Sequence, residues 1–370
     1  MYKNRMFEQE KIYIAGPECF YTGGYDALDY MKRRAECLGF GVTLPNSHPL
    51  DLENEDLRKR ADSIFADLEV VMNDSTAIIA DLEAYRGSEA DSGTVYEIGM
   101  AYARGLRCYG YTRDKRTLAW KDQRYVLRDG VVYDEAGRPA PYKDLPFSPC
   151  VIGSTKIVEG DFDDCLKMMM TDIEEECKEK AKRGMNVDDS SHVTVKDKKR
   201  PLVYLADTNR YDEDGVKRYR KMKEICERHG LDAVSPLDQA PGVEKIETDN
   251  PYTRAANQFD NYQQHVRNCD IVIADLNDYR GYECSNDVAF ECGMGFQLGK
   301  KLFGYVDDAR PLIERIPHLG EEAEYRDMTG ANVENFNYPM NLMFSCSMEI
   351  FEGKFEEVIE AIAESLKKTK

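Results

Sequence analysis

Two stretches of this chain are copies of each other. Residues Asp81 to Tyr111 align without gaps with residues Asp275 to Tyr305 at a constant offset of 194, and 12 of the 31 positions are identical. Nearer the start of each copy the offset is 191, where Ile12-Tyr13-Ile14-Ala15 aligns with Val203-Tyr204-Leu205-Ala206, so a small insertion separates the two parts. Similarity at a fixed spacing indicates that one structural unit has been duplicated in tandem.

The length of the chain agrees with two domains. At 370 residues it is long for one domain, and each half is large enough to bury a core. The stretch from Lys178 to Arg200 is polar and charged. We therefore expect a first copy over residues 1–177, a linker over residues 178–200 and a second copy over residues 201–370.

Charge and hydropathy exclude several classes of partner. The formal net charge of −19 would repel the phosphate backbone of DNA or RNA, so we expect no nucleic-acid polymer as a partner. The start, Met1 to Lys11, is polar, and no segment approaches the roughly 20 apolar residues of a membrane span. These features predict a cytoplasmic protein without a membrane partner.

The cysteines and histidines give little support for disulfides or metals. The eleven cysteines are odd in number, form no Cys-x-x-Cys pair and lie mostly in apolar runs, which favours reduced core thiols over disulfides. The five histidines include no His-x-x-x-His pair. A zinc site is poorly supported, and we assign neither a metal nor a cofactor.

Short apolar strands alternate with amphipathic helices in both copies. The predicted strands lie near residues 11–15, 40–44, 76–81 and 106–111, and near 201–206, 231–234, 270–275 and 301–305. This alternation is typical of a parallel sheet covered on both faces. We expect an α/β fold of two tandem flavodoxin-like or Rossmann-like domains, each a parallel sheet flanked by helices. Ligands of such sheets bind at the carboxyl ends of the strands.

A loop that runs into a helix follows the strand ending near Asp81, at the predicted ligand edge. Asp91 and Ser92 are suited to cap this helix, which explains them without a function. Glu97 is harder to explain, because apolar residues surround it and a charge among apolar groups is costly. A solvated helix face is the alternative for Glu97. A carboxylate held over the strand ends could otherwise attack an electrophilic carbon.

Two further features bear on Glu97. The small residues Gly99, Ala101 and Ala103 would let the helix pack closely on the sheet. Tyr13 alternates with Ile12 and Ile14 and so faces away from them, where its hydroxyl could orient the carboxylate. A core tyrosine without a catalytic role explains the same pattern equally well.

Three motifs of the first copy carry a family resemblance. They are Ile12-Tyr13-Ile14-Ala15-Gly16-Pro17, Arg86-Gly87-x-x-x-Asp91-Ser92-Gly93-Thr94-x-x-Glu97-x-Gly99 and Gly110-Tyr111-Thr112-Arg113-Asp114. With these motifs the first copy resembles nucleoside 2-deoxyribosyltransferases and the related nucleotide N-hydrolases. The second copy matches the pattern only in part.

The resemblance implies a role for individual residues. Glu97 would attack the anomeric carbon of a 2-deoxyribosyl group and form a covalent intermediate, with Tyr13 positioning it. Asp67 is our candidate for the group that transfers a proton to the departing base, although it lies one residue farther from the next strand than the family pattern has it. Substrate contacts are expected from the motif residues Gly16, Pro17, Asp91, Ser92, Gly93 and Thr94.

The second copy has lost some elements and kept another. Gly16-Pro17 becomes Asp207-Thr208, and Asp91-Ser92-Gly93-Thr94 becomes Ser285-Asn286-Asp287-Val288, while Glu291 remains. The second copy contains Asn341-Leu342-Met343, which is similar to the family segment that enters a neighbouring subunit's site, and the first copy lacks it. We expect one composite site in which Asn341 and Met343 join Glu97, an intrachain pseudo-dimer. A plain hydrophobic turn is the alternative for this triplet.

Three functions are compatible with these features. The leading hypothesis is transfer of deoxyribose from a deoxynucleoside to a free base. The second is hydrolysis of a nucleoside monophosphate, because Ser92, Thr94 and backbone donors at a helix start could hold a phosphate. The third is a catalytically silent nucleotide sensor. The sequence leaves open the preferred base and whether chains assemble further into a homo-oligomer.

Overall fold

The computed structural model describes residues 5–45, 48–122, 124–135, 137–183, 200–320 and 324–368. Most of the expected linker, residues 184–199, lies outside these ranges. The helix that precedes it continues to Arg183, beyond the boundary that we expected at residue 177. Among the described residues, no helix combines the length and apolar composition that crossing a bilayer requires.

The first copy contains a five-stranded parallel sheet and a small hairpin. Its strands are β1 (Lys11–Ala15), β2 (Gly41–Thr43), β3 (Ala77–Asp81), β4 (Arg107–Thr112), β5 (Val126–Arg128), β6 (Val131–Tyr133) and β7 (Lys156–Glu159). Its helices are α1 (Gly24–Leu38), α2 (Leu57–Asn73), α3 (Ser92–Ala103), α4 (Leu118–Lys121), α5 (Pro149–Ser154) and α6 (Phe162–Arg183), with 3-10 helices at Arg5–Phe7 and Pro17–Phe20. The parallel order is β2-β1-β3-β4-β7, and β5 pairs with β6 in the antiparallel hairpin.

The second copy repeats this architecture. Its strands are β8 (Leu202–Ala206), β9 (Asp232–Val234), β10 (Ile271–Asp275), β11 (Lys301–Val306), β12 (His318–Leu319), β13 (Arg326–Asp327) and β14 (Glu349–Glu352). Its helices are α7 (Gly215–Arg228), α8 (Pro251–Asn268), α9 (Asn286–Gln297), α10 (Leu312–Arg315), α11 (Leu342–Ser347) and α12 (Phe355–Lys368), with a 3-10 helix at Thr208–Tyr211. The parallel order is β9-β8-β10-β11-β14, which confirms two tandem α/β domains with parallel sheets.

Each sheet is covered on both faces, as the alternation of side chains in β1 illustrates. Ile12 and Ile14 pack in the core under α1 and α6, whereas Tyr13 faces the opposite core under α2 and α3. The chain passes from β1 to β2 on one side and reaches β3 on the other. The carboxyl ends of β1 and β3 therefore flank a crevice, where sheets of this topology bind ligands.

The two copies join through the helices on their inner faces. One hydrophobic core contains residues of both copies, including Tyr96 of α3 and Phe290 of α9. A Cβ atom built on Gly99 would lie 2.3 Å from the carbonyl oxygen of Phe290, so α3 approaches the backbone of α9 closely at this glycine. Our expectation that Gly99 serves packing against the sheet was wrong, because the element it meets belongs to the other copy.

Gly293, the counterpart of Gly99, allows a stability prediction. A Cβ atom there would lie 1.9 Å from the carbonyl oxygen of Tyr96, and its other near contacts are also backbone atoms of Tyr96. Gly293→Ala should therefore lower the free energy of unfolding by about 1–3 kcal/mol, despite the better helix propensity of alanine. Urea denaturation measures the change. Gln297→Ala in the same helix is the control, and an equal midpoint for both variants would contradict the close contact.

A pseudo-twofold relation runs through the interface. Gly87 and Gly281 form an antiparallel bridge, and the arginine before each has a positive φ, 49° at Arg86 and 61° at Arg280. Arg86 donates from Nε to Asp327 at 2.8 Å, and Arg280 forms an ion pair with Asp134 at 3.1 Å. Each copy thus extends a segment over the other. We call residues 324–341, which reach over the first copy, the crossing segment.

Both fifth strands were missed by the sequence analysis. β7 pairs with β4 and β14 pairs with β11, so each forms one edge of its sheet. Their end residues are exposed and their central residues only half-buried. A strand of this kind lacks the continuous apolar run that marks buried parallel strands. The sequence pattern therefore resembled a loop.

Candidate active site

The start of α3 holds the first carboxylate of the site. Asp91 is the N-cap, and its Oδ2 accepts hydrogen bonds of 2.7 Å from both the backbone N–H and the hydroxyl of Thr94. This is the capping arrangement expected for aspartate before a helix. Its Oδ1, however, is buried and accepts no hydrogen bond from the described residues. Capping therefore accounts for Oδ2 of Asp91 but not for its Oδ1.

Glu97 lies in the second turn of α3 and is buried. The hydroxyl of Tyr13 on β1 donates a hydrogen bond of 2.7 Å to its Oε1. Burial raises the pKa of Glu97 to about 8, the hydrogen bond from Tyr13 lowers it, and the nearby Asp91 and Glu18 raise it further. The solvated-face alternative does not describe this residue, because its side chain is held inside the protein.

A cavity of about 410 Å³ opens beside Glu97. We call it the composite cavity, because both copies line it. The first copy contributes Gly16, Cys19, Phe20, Tyr25, Leu28, Pro45, Leu50, Leu52, Leu57, Arg60, Ile64, Asp91, Gly93, Thr94 and Glu97. The second copy contributes Tyr325, Asn332, Val333, Glu334, Asn335, Phe336, Asn341, Leu342 and Met343. The size is within the range of small-molecule sites.

Asn341 sits against the start of α3. It is the N-cap of α11, and its Oδ1 accepts a hydrogen bond of 2.9 Å from the backbone N–H of Met343. A Cβ atom on Gly93 would lie 2.8 Å from the Nδ2 of Asn341, so a larger residue than glycine would displace this amide. The structure therefore brings Asn341 to the first copy's Asp91 and Gly93.

Seven of the eleven residues predicted for the site line the composite cavity, namely Gly16, Asp91, Gly93, Thr94, Glu97, Asn341 and Met343. Of the other four, Tyr13 reaches the site through its hydrogen bond to Glu97. Pro17 is buried at the start of its 3-10 helix, and Ser92 donates its hydroxyl to Glu283 of the second copy. Asp67 is buried on α2 and bonded to His48. Pro17, Ser92 and Asp67 are not among the lining residues.

The sequence analysis missed the contribution of the crossing segment. Between Tyr325 and Phe336 this segment supplies six lining residues, Glu334 among them. Its backbone is tied to the first copy by a hydrogen bond of 2.7 Å from the N–H of Asn332 to the carbonyl of Phe20. The only available signal was the polar and aromatic run Asn332-Val333-Glu334-Asn335-Phe336 ahead of the Asn341 triplet.

The equivalent position in the second copy is closed by an ion pair. Arg210 donates to both carboxylate oxygens of Glu291, at 2.6 and 2.7 Å, and both side chains are 1% exposed. Tyr204 donates to the same carboxylate at 2.6 Å. At the offset of 191, the counterpart of Arg210 is Cys19, which lines the composite cavity. A guanidinium thus occupies the space beside Glu291 that a substrate would need.

Asp287 is a second charged group that fills the equivalent position in the second copy. It replaces Gly93 at the start of its helix, and its carboxylate accepts hydrogen bonds from the backbone N–H of Cys150 at 2.9 Å and from the hydroxyl of Tyr211. In the described residues, no group of three or more His, Cys, Asp or Glu side chains has an arrangement that could hold a metal ion.

Comparison with known proteins identifies the family of the chain. A family model described as nucleoside 2-deoxyribosyltransferase matches residues 12–192 and 203–343. The chain belongs to this family. Both copies are nucleoside 2-deoxyribosyltransferase domains, because the two matched regions fall on either side of residues 193–202.

The individual relatives that match this nucleoside 2-deoxyribosyltransferase family member are distant in sequence. The chain is 27% identical over 124 residues to an uncharacterised protein of Schizosaccharomyces pombe, a match that covers 33% of this chain and 58% of that protein's length. A 2-desoxiribosyltransferase structure from Leishmania mexicana is 27% identical and covers 44% of this chain and 97% of its own, with a TM-score of 0.35. A 2-deoxyribosyltransferase from Bacillus psychrosaccharolyticus is 20% identical over 44% of this chain and 95% of its own, with a TM-score of 0.29.

Proposed function

We propose that the composite cavity cleaves the N-glycosidic bond of a 2′-deoxynucleoside and transfers the sugar to another base. The observation that carries this proposal is the buried carboxylate of Glu97, held by Tyr13 beside a cavity that the second copy completes. The family membership of both copies supports the same reaction class. A carboxylate fixed in a closed site is the group that retaining glycosyl transfer requires.

The reaction has two displacements at the anomeric carbon. In the first, a carboxylate oxygen of Glu97 bonds to that carbon, the carbon–nitrogen bond breaks, and its electron pair leaves with the base, which takes up a proton from solvent. In the second, a nitrogen of the incoming base attacks the same carbon and releases its proton to solvent, and the ester bond to Glu97 breaks, which restores the carboxylate. The two proton transfers cancel over the full reaction. The hydrogen bond from Tyr13 to Oε1 fixes the carboxylate orientation through both steps.

The charges of the cavity favour a nucleoside over a nucleotide. Its lining includes three carboxyl groups, those of Asp91, Glu97 and Glu334, and one guanidinium, that of Arg60. The hydroxyl of Thr94, which we expected to hold a phosphate in the hydrolase hypothesis, donates to Asp91. A dianionic phosphate would therefore meet carboxyl groups at this end of the cavity, where a phosphate site needs cations or free hydrogen-bond donors. These observations support the transferase over the monophosphate hydrolase.

The reaction class can be tested directly. The protein is incubated with deoxyinosine, deoxyadenosine, deoxycytidine or thymidine together with a different free base, and new nucleosides are separated chromatographically. Formation of the new deoxynucleoside supports transfer. Release of free base from deoxynucleoside monophosphates, without transfer, would assign a hydrolase. If the protein binds nucleotides but neither the transfer nor the hydrolysis assay detects turnover, the result would favour the sensor hypothesis.

The pKa of Glu97 predicts the dependence of transfer on pH. The nucleophile must be ionised, and because its pKa is raised to about 8 the unreactive protonated form predominates below that pH. We expect kcat/KM to rise about tenfold per pH unit up to about pH 8 and then to level off. Tyr13→Phe removes the hydrogen bond that lowers this pKa, so it should move the rising limb to higher pH.

The matched control is Tyr204→Phe, which removes the equivalent hydrogen bond to Glu291 in the second copy. In this variant, kcat/KM should rise over the same pH range as in the wild type. The measurement is kcat/KM for the best donor nucleoside between pH 5.5 and 9.5 in the wild type and both variants. A limb that stays in place in Tyr13→Phe would show that Tyr13 does not set the ionisation of the nucleophile.

A further inference from the structure

A further cavity opens in the second copy, between α8 and the loop of residues 235–250 that leads into this helix. We call it the α8 cavity. Its volume is about 720 Å³, within the range of small-molecule sites, and it shares no lining residue with the composite cavity. The loop follows β9, so the cavity lies at the carboxyl ends of the strands, where parallel sheets bind their ligands.

The α8 cavity is the counterpart of one end of the composite cavity. Pro236 corresponds to Pro45 at the offset of 191, and each lines its cavity. Arg254 corresponds to Arg60 at the offset of 194, and each again lines its cavity. The offset rises by three between these two positions, so the insertion that distinguishes the copies lies in the loop of the α8 cavity. The second copy has therefore kept this end of the site and lengthened its loop.

Two asparagines of α8 hold the loop in place. Oδ1 of Asn257 accepts a hydrogen bond of 3.0 Å from the backbone N–H of Ile246. Oδ1 of Asn261 accepts one of 2.8 Å from the backbone N–H of Ala240. Both side-chain amides also donate to carbonyl oxygens of the loop. Because the helix itself orders the loop, the cavity is formed before any ligand binds, as is usual for small-molecule sites.

Two other polar side chains of α8 line the cavity and do not hold the loop. They are Gln258 and Tyr262. Within the part of the chain that the structure describes, neither the amide of Gln258 nor the hydroxyl of Tyr262 forms a hydrogen bond. The counterpart of Gln258 is Ile64 of the composite cavity, so the second copy has an additional hydrogen-bonding group here. An amide both donates and accepts, which suits a ligand whose edge carries donors and acceptors side by side.

The α8 cavity does not extend to the carboxylate of the second copy. Tyr262 lines it, whereas Arg210 and Glu291 do not. The guanidinium carbon of Arg210 lies 4.7 Å from the ring centroid of Tyr262, and the same guanidinium is bound to Glu291. A nucleoside would need room for its sugar beside that carboxylate, but a free base would not. The closed end therefore selects a ligand without a sugar.

The charges of the lining favour a neutral ligand. The charged lining residues are Lys245, Arg254, Asp238, Glu247 and Asp249. Asp238 is already bound to Lys223, which lies outside the lining. The two cations that remain are balanced by two carboxylates, so no excess of positive charge attracts a phosphate. Nucleobases are neutral and planar and carry donors and acceptors along one edge, which matches this lining.

We propose that the α8 cavity is a second, non-catalytic binding site for a free nucleobase. This inference rests on the proposed function, in which a free base leaves after the first displacement and another enters for the second. The amide of Gln258 pairs with the hydrogen-bonding edge of the base, and the hydroxyl of Tyr262 binds a further polar atom of the ring. Occupancy of this site therefore follows the concentration of the free base that the composite cavity releases and consumes.

The test counts bound bases in the full-length protein. Equilibrium dialysis with radiolabelled adenine, hypoxanthine, cytosine or thymine gives the number of bases bound per chain and their Kd. Gln258→Leu and Tyr262→Phe each remove one hydrogen-bonding group of the α8 cavity, and each should weaken one bound base at least about tenfold. At base concentrations between the two Kd values, the count should fall by one per chain in both variants.

The matched control is Gln264→Leu, the same substitution at a half-buried residue of α8 that does not line the cavity. It should keep the wild-type count, and thermal unfolding checks that all three variants are folded. Photolabelling with 8-azidoadenine, followed by peptide mapping, should place an adduct within residues 236–262. Equal counts in the wild type and both cavity variants, or no binding of any of the four bases, would overturn the inference. So would binding of deoxynucleoside monophosphates, but not of bases, in a parallel dialysis.

These results are separate from those of the transfer assay. If the protein transfers deoxyribose but the count does not depend on Gln258 or Tyr262, the α8 site fails and the proposed function stands. If the protein transfers nothing but loses one bound base in both variants, the proposed function fails and the base site in the second copy stands.

Discussion

We expect Glu97→Gln to lower kcat for deoxyribosyl transfer by about a thousandfold or more while the protein remains folded. Glutamine keeps the shape of the side chain and can still accept the hydrogen bond from Tyr13, but its neutral amide does not form the ester intermediate. The variant should also bind deoxynucleosides, because the rest of the cavity is intact. Steady-state transfer and calorimetric binding measure the two effects. Activity above a few percent of the wild type would exclude Glu97 as the nucleophile.

Glu291→Gln is the matched control, since Glu291 holds the equivalent position in the second copy. We expect the transfer rate per folded molecule to stay close to that of the wild type, because the Glu291 carboxylate is already paired with Arg210 and is not available to a substrate. Stability should fall by about 3–5 kcal/mol, because the change leaves the buried Arg210 unpaired. The double variant Arg210→Met with Glu291→Gln should recover most of that loss. Equal loss of transfer in Glu97→Gln and folded Glu291→Gln would mean that both carboxylates react.

Much of the framework could be predicted because it follows from simple periodicities. The alternation of Ile12, Tyr13 and Ile14 predicted that the tyrosine faces away from both isoleucines, and in the structure that face is the one covered by α2 and α3. The capping role of Asp91 likewise follows from its place before a helix. These features are set by residues that are close together in the sequence, so a single sequence is enough to predict them.

Other features depend on which surfaces meet, and local patterns do not specify that. Gly99 marks a close contact, but the sequence alone did not identify α9 as the partner. Glu334 and Glu97 are far apart in the chain and meet in the cavity only because the copies face each other. Asn341 and Met343 were predicted through the family resemblance. The replacement of Cys19 by Arg210, by contrast, was visible in the alignment of the two copies at the offset of 191.

The largest hydrophobic core of the molecule belongs to neither copy alone. It combines residues of α2 and α3, such as Phe65 and Tyr96, with residues of α9 and α11, such as Phe290 and Phe344. The ring centroids of Tyr96 and Phe344 lie 5.3 Å apart in an edge-to-face contact between the copies. An isolated copy would expose this surface to water, at a cost of about 25 cal/mol for each Å² of apolar area. We therefore expect each copy to be less stable alone than in the joined protein.

This shared core predicts that the first copy, expressed as residues 1–183, has less than about 1% of the wild-type transfer activity. It would lack Asn341, Met343 and the crossing segment, and its inner face would lose its partner. Co-expression with residues 200–370 should restore transfer, because the contacts that complete the cavity are noncovalent. A protease site inserted between residues 185 and 192, cut after folding, should leave activity unchanged for the same reason. Loss of activity on cutting would show that the linker itself is needed, and full activity of residues 1–183 alone would show that the second copy completes no site.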